Sequence, residues 1–117
     1  MNIEKELEKV KISKREKKEL VKLLKKLKDE LKVEEVHIFG SRVYGTPLKE
    51  SDIDILIISE EFKNKSFIEN MIRVNKMLDG NLDIEIFPYT REDIIKYKGK
   101  KVVITEALEK GLKIELK

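Results

Sequence analysis

The chain has 117 residues and a mass of 13.8 kDa, the size of one ordinary domain. Charged residues make up 42% and hydrophobic ones 40%, with 26 Lys and Arg against 23 Asp and Glu. The net of +3 does not by itself mean nucleic-acid binding. There is no cysteine and only one histidine, His37. This excludes disulfides, thiolate nucleophiles, Cys-ligated metals and multi-histidine metal sites.

Charge is unevenly spread. Residues 1–32 hold twelve basic and seven acidic residues, and residues 33–117 hold fourteen and sixteen. The first part reads as a helical segment packed on the core. Ser13 and Glu16 form an S-x-x-E capping box. Leu20, Leu24, Leu27 and Leu31 follow as an apolar stripe on one helix face. No apolar run approaches the roughly 18 residues of a membrane span, and the start (MNIEKELEKV) alternates in charge. Neither a membrane span nor a signal peptide is expected, and a cytoplasmic location is the default.

From residue 33 the pattern changes. Val33 to Phe39 reads as a strand, followed by a turn at Gly40-Ser41. Ile53 to Ser59 is β-branched throughout most of its length, as a buried central strand would be. Phe67, Met71, Val74 and Leu78, with Ile68 and Ile72, make an amphipathic helix. A turn is expected at Asp79-Gly80-Asn81, then an alternating strand over Leu82–Phe87 closed by Pro88. Thr90 to Asp93 looks like a helix start. Val102 to Lys110 reads as the last helix, with Gly111 at its C-cap, and Leu112 to Leu116 as an edge strand. The expected fold class is α/β (α+β): a small mixed sheet flanked by helices. The expected organisation is one globular domain, with 1–32 as N-terminal helical segment and 33–117 as main body.

The stretch 39–57 (FGSRVYGTPLKESDIDILI) carries the chemistry. Asp52 and Asp54 are two apart, so both carboxylates share one face of an extended strand. Paired carboxylates repel unless a cation lies between them, and hard oxygen donors suit Mg²⁺. Gly40 lets a phosphate approach the backbone closely, and Ser41 adds a hydroxyl and an N–H. Asp83 and Glu85 also share a face. If their strand neighbours the first, three carboxylates could hold two metals ~3.5–4 Å apart for displacement at phosphorus. Tyr44 is a candidate ring for stacking on a base. His37 faces away from Val36 and Ile38, and packing is its expected role.

These residues resemble the core motif of the polymerase-β-type nucleotidyltransferases. In that motif Gly-Ser is followed by ten residues and then Asp-x-Asp. Here Gly40-Ser41 is followed by residues 42–51 and then Asp52-Ile53-Asp54, without a gap. Arg42 and Gly45 match the Gly-Ser-Arg-x-x-Gly form of the small members. The stretch Glu106–Gly111 is similar to the ending of the minimal nucleotidyltransferases, which pair with HEPN-domain toxins in toxin–antitoxin modules.

The resemblance implies a nucleotidyltransferase fold. Gly40, Ser41 and Arg42 would hold the nucleotide, and Asp52 and Asp54 the metal. Asp83 is the preferred third acid, with Glu85 as the alternative. It implies ATP as substrate, Mg²⁺ (two ions) as cofactor, and transfer of AMP to a hydroxyl acceptor. The acceptor it implies is a side chain of a HEPN toxin, with this chain as antitoxin. Two alternatives stand: a non-catalytic module that blocks its partner by contact, and a transferase acting on a small molecule or RNA. A transferase this short is expected to borrow its acceptor site from a partner or from a second copy of the chain.

Overall fold

A computed structural model describes residues 2–45, 52–78 and 82–116. The turn expected at Asp79-Gly80-Asn81, and residues 46–51 of the motif, lie outside the described residues.

Helix α1 (Ile3–Leu7) opens the chain, with Asn2 as its N-cap. Helix α2 (Lys14–Leu31) begins at the expected capping box. The Glu16 N–H donates to Ser13 Oγ at 3.1 Å, and the Ser13 N–H donates to Glu16 Oε1 at 2.9 Å. It ends at Lys32, whose φ of 47° is left-handed and whose N–H closes on the Leu27 carbonyl. All four leucines of the expected stripe are buried, together with Val21 and Leu23.

Strand β1 (Glu35–Phe39) leads through the short helix α3 (Ser41–Tyr44) to β2 (Ile53–Ile58). A 3-10 turn (Glu60–Phe62) and α4 (Phe67–Asn75) follow, then β3 (Ile84–Tyr89), α5 (Arg91–Tyr97), α6 (Val102–Lys110) and β4 (Leu112–Glu115). The sheet order is β3-β2-β1-β4, so β2 is central and β4 is an edge. β1 runs antiparallel to both β2 and β4, and β2 runs parallel to β3. A parallel pair needs a crossover connection, and α4 is its helix. The mixed sheet flanked by helices is the architecture expected from the sequence.

Strand alternation divides the core. Val36, Ile38, Ile53, Ile55, Ile57, Ile86 and Ile114 pack with the leucines of α2. Phe39, Leu56, Ile58 and Tyr89 pack with Ile94, Ile104 and Ala107 of α5 and α6. Burying each such aliphatic side chain stabilises the fold by about 1.5–3 kcal/mol.

Two local features depart from the expectations, and a third meets them for a different physical reason. β3 runs through Pro88 to Tyr89, which an edge strand tolerates because one side has no ladder to feed. On α4 only Val74 of the expected apolar stripe is buried, while Ile68 and Ile72 are 63% and 51% exposed. Gly111 does cap α6, but its φ is −77°, not left-handed. Glycine is required there by close approach: a Cβ would stand 2.4 Å from the Ala107 carbonyl oxygen and 3.0 Å from that of Ile38. Among the described residues no helix is long and apolar enough to cross a membrane.

Candidate active site

The strand ends bring three parts of the motif together. β1 stops at Phe39 because Gly40 turns the chain with φ 88° into α3. Phe39 pairs with Asp54 across β1 and β2, so Gly40 arrives directly over the Asp54 side chain. A Cβ at residue 40 would lie 2.3 Å from Asp54 Oδ2. Space and backbone conformation both therefore require glycine. The Gly40 carbonyl then accepts the Val43 and Tyr44 N–H groups at 3.0 and 3.3 Å, fixing the turn, and Ser41 opens α3.

On the other side of Asp54 stands Glu85. The parallel register pairs Asp54 with Glu85, and the two carboxyls share a hydrogen bond. Burial pushes the Asp54 carboxyl up to about 6, reinforced by the charge and hydrogen bond of Glu85 and by the charges of Asp52 and Glu106. The group thus keeps its proton up to about pH 6, well above the ordinary aspartate range, unless a cation relieves the repulsion. Asp52 lies exposed just before β2. Asp83 lies exposed just before β3, where its carbonyl accepts the Ile53 N–H at 3.0 Å.

Glu106 opens the stretch that resembles the family's ending, but its contact with the motif is not legible in the sequence. It sits on α6, far along the chain from Tyr44. In the fold the Tyr44 hydroxyl donates to Glu106 Oε2. Burial, then that hydrogen bond, pushes the Tyr44 phenol up to about 12. Tyr44 thereby ties α3 to α6 beside Asp54.

The donor set is all hard oxygen, and Asp54 is short of positive charge. Both facts fit a divalent cation at the Asp54–Glu85 pair. Among the described residues, no group of three or more His, Cys, Asp or Glu side chains stands close enough to hold a metal ion. The side chains therefore converge only in part.

A family profile described as a nucleotidyltransferase domain matches residues 20–116. The chain belongs to the nucleotidyltransferase-domain family. No curated protein matches the sequence. Among solved structures, one of a candidate nucleotidyltransferase from Sulfolobus solfataricus is 26% identical, with a TM-score of 0.44. The match covers 73% of this chain and 82% of that one.

In this nucleotidyltransferase domain Arg42 of the motif and His37 just before it have structural partners. Arg42 is buried, and its guanidinium forks onto Glu16, with both nitrogen–oxygen distances at 3.2 Å. Arg42 Nη1 also donates to the Lys11 carbonyl at 3.0 Å. Burial alone would raise Glu16, but the Ser13 amide and Arg42 outweigh it and hold the carboxyl below its usual range. The Lys11 N–H in turn donates to the Arg42 carbonyl at 2.7 Å, and its ammonium reaches the Gly45 carbonyl. The Gly-Ser turn is thus strapped to the start of α2. His37 is also buried, with Nε2 2.6 Å from Glu35 Oε2, and Glu35 pairs with Arg91. Burial holds His37 below its ordinary range, and its position among these partners suits packing.

Proposed function

We propose that the chain transfers a nucleoside monophosphate, AMP from ATP, to a hydroxyl acceptor with release of pyrophosphate. The observation that carries this reading is Gly40 seated against Asp54, with Glu85 across the strand. Family membership supports the reaction class.

Each residue has a separate task. Gly40 and Ser41 admit the phosphates to the backbone turn. Asp52, Asp54 and a third acid hold Mg²⁺, and the register favours Glu85 over Asp83 for that third place. The bound cation neutralises charge on the phosphates and on the carboxylates. The acceptor oxygen bonds to the α-phosphorus, the bond to pyrophosphate breaks, and the hydroxyl proton passes to the third acid. The rest is positioning.

The proposed acceptor is a side-chain hydroxyl of a HEPN-domain toxin in the cytoplasm, with this chain as antitoxin. Its support is the resemblance carried by Gly40–Gly45 and Glu106–Gly111. The experiment is incubation with Mg²⁺, each labelled nucleoside triphosphate and the partner, followed by intact mass measurement. An added AMP on the partner is the expected result. Transfer that persists in the Asp52→Asn, Asp54→Asn double variant contradicts the site. Neutralisation of the partner by that double variant supports contact inhibition, which the exposed Ile68 and Ile72 on α4 would serve.

A further inference from the structure

Glu106 faces two places at once. One oxygen takes the Tyr44 hydroxyl beside Asp54. The same residue lines a groove of about 290 Å³ along α6, with Lys100, Lys101, Val102, Glu109 and Lys110. Val102, Glu106 and Glu109 recur at helical spacing, so the groove follows one face of α6. Glu106 thus links the groove to Tyr44 at the edge of the acid site.

The groove has a distinct charge pattern. Lysines stand at both ends: Lys100 and Lys101 before the helix, and Lys110 at its last residue. Lys96 and Lys98 extend the first cluster, so four of the six residues 96–101 are lysine. The Lys101 ammonium is held 4.3 Å from the Tyr97 ring centroid and 5.8 Å from that of Tyr89. Between the cationic ends lie Glu106, Glu109 and Val102, the last 80% exposed.

We infer that this groove is the acceptor side of the site, and that it receives a hydroxyl-bearing peptide segment rich in Asp and Glu. The inference rests on the transferase reading proposed above. Acidic side chains meet the lysines at the two ends, and Val102 gives an apolar contact. Glu106 accepts the segment's hydroxyl as it now accepts that of Tyr44. A continuous phosphate backbone fits less well, because Glu106 and Glu109 interrupt the cationic track.

Fluorescence anisotropy on the full chain tests this with four labelled probes. They are a Glu-Tyr peptide, its Gln-Tyr and Lys-Tyr counterparts, and an oligouridylate of equal length. The Glu-Tyr peptide is expected to bind roughly tenfold more tightly than its Gln-Tyr counterpart. The Lys100→Glu, Lys110→Glu double variant should erase that difference while keeping the wild-type melting curve. Equal binding of the Gln-Tyr peptide, tighter binding of the oligouridylate, or an unaffected folded double variant overturns the inference. Mg²⁺-dependent binding of a fluorescent ATP analogue is read in parallel. Nucleotide binding without peptide discrimination overturns the groove alone. Absence of nucleotide binding overturns the transferase reading beneath it.

Discussion

The two faces of the sheet use alternate residues of the same strands for opposite purposes. The face under α2 presents Ile53, Ile55 and Ile57 from β2, with Val36 and Ile38 from β1. Every one of these side chains is apolar and buried. The opposite face presents Asp54, Leu56 and Ile58 from β2, with Glu85, Phe87 and Tyr89 from β3. Its apolar part is covered by α5 and α6, and its acids gather where the strands end. One face therefore supplies stability. The other gives some up by holding carboxyls together that repel each other.

Substitutions should separate the two faces. The largest effect expected is on the acid face: Asp54→Asn should lower labelled AMP transfer by about 10²–10³-fold or more, read by product mass. Next is the opposite face, where Leu24→Ala should cost about 2–5 kcal/mol in denaturant unfolding. Leu24 is fully buried and far from the acids in role, so the folded fraction should keep its nucleotide affinity. Gly40→Ala comes third, at about 1–3 kcal/mol for a side chain forced into left-handed backbone. Unlike Leu24→Ala, it should also lose nucleotide binding, because the new Cβ displaces the Asp54 carboxylate.

The smallest effect is the pH dependence of the protein without metal. Asp54 titrates at about 6 in the fold and in the ordinary aspartate range when unfolded. Between those values the folded state holds a proton that the unfolded state has released. Stability from this group therefore falls as pH rises from about 4 to about 6 and stays lost above that. Allowing for solvent screening, the loss is about 1–2 kcal/mol. Thermal melts of wild type and Asp54→Asn across this window isolate it, since the other titrating groups are common to both. The variant should melt a few degrees higher at pH 8, and Mg²⁺ should narrow the gap by raising the wild type alone.

Much of this was legible from the sequence where periodicity is long or spacing is fixed. The leucine stripe, the capping box and the buried β2 run each announce themselves locally. Gly40, Asp52 and Asp54 are marked by their spacing. Residues 1–32 read as one helical segment, and the break that sets α1 apart is not legible because its five residues carry only Ile3 and Leu7 as apolar signals. The α4 stripe misled because periodicity shows which residues share a face, not which of them another element covers. Asp83 and Glu85 differ by one full strand period, so alternation places them alike. Only the register of β2 against β3 sets Glu85 opposite Asp54. The meeting of Glu106 with Tyr44 was invisible for the same reason: it spans 62 residues of chain.

Calorimetric titration with Mg²⁺ and a non-hydrolysable ATP analogue tests the acid site most directly. Wild type and Asp83→Asn should both bind, whereas Glu85→Gln and Asp54→Asn should lose most of the Mg²⁺-dependent affinity. Retained binding in Glu85→Gln with loss in Asp83→Asn would contradict the assignment made from the β2–β3 register.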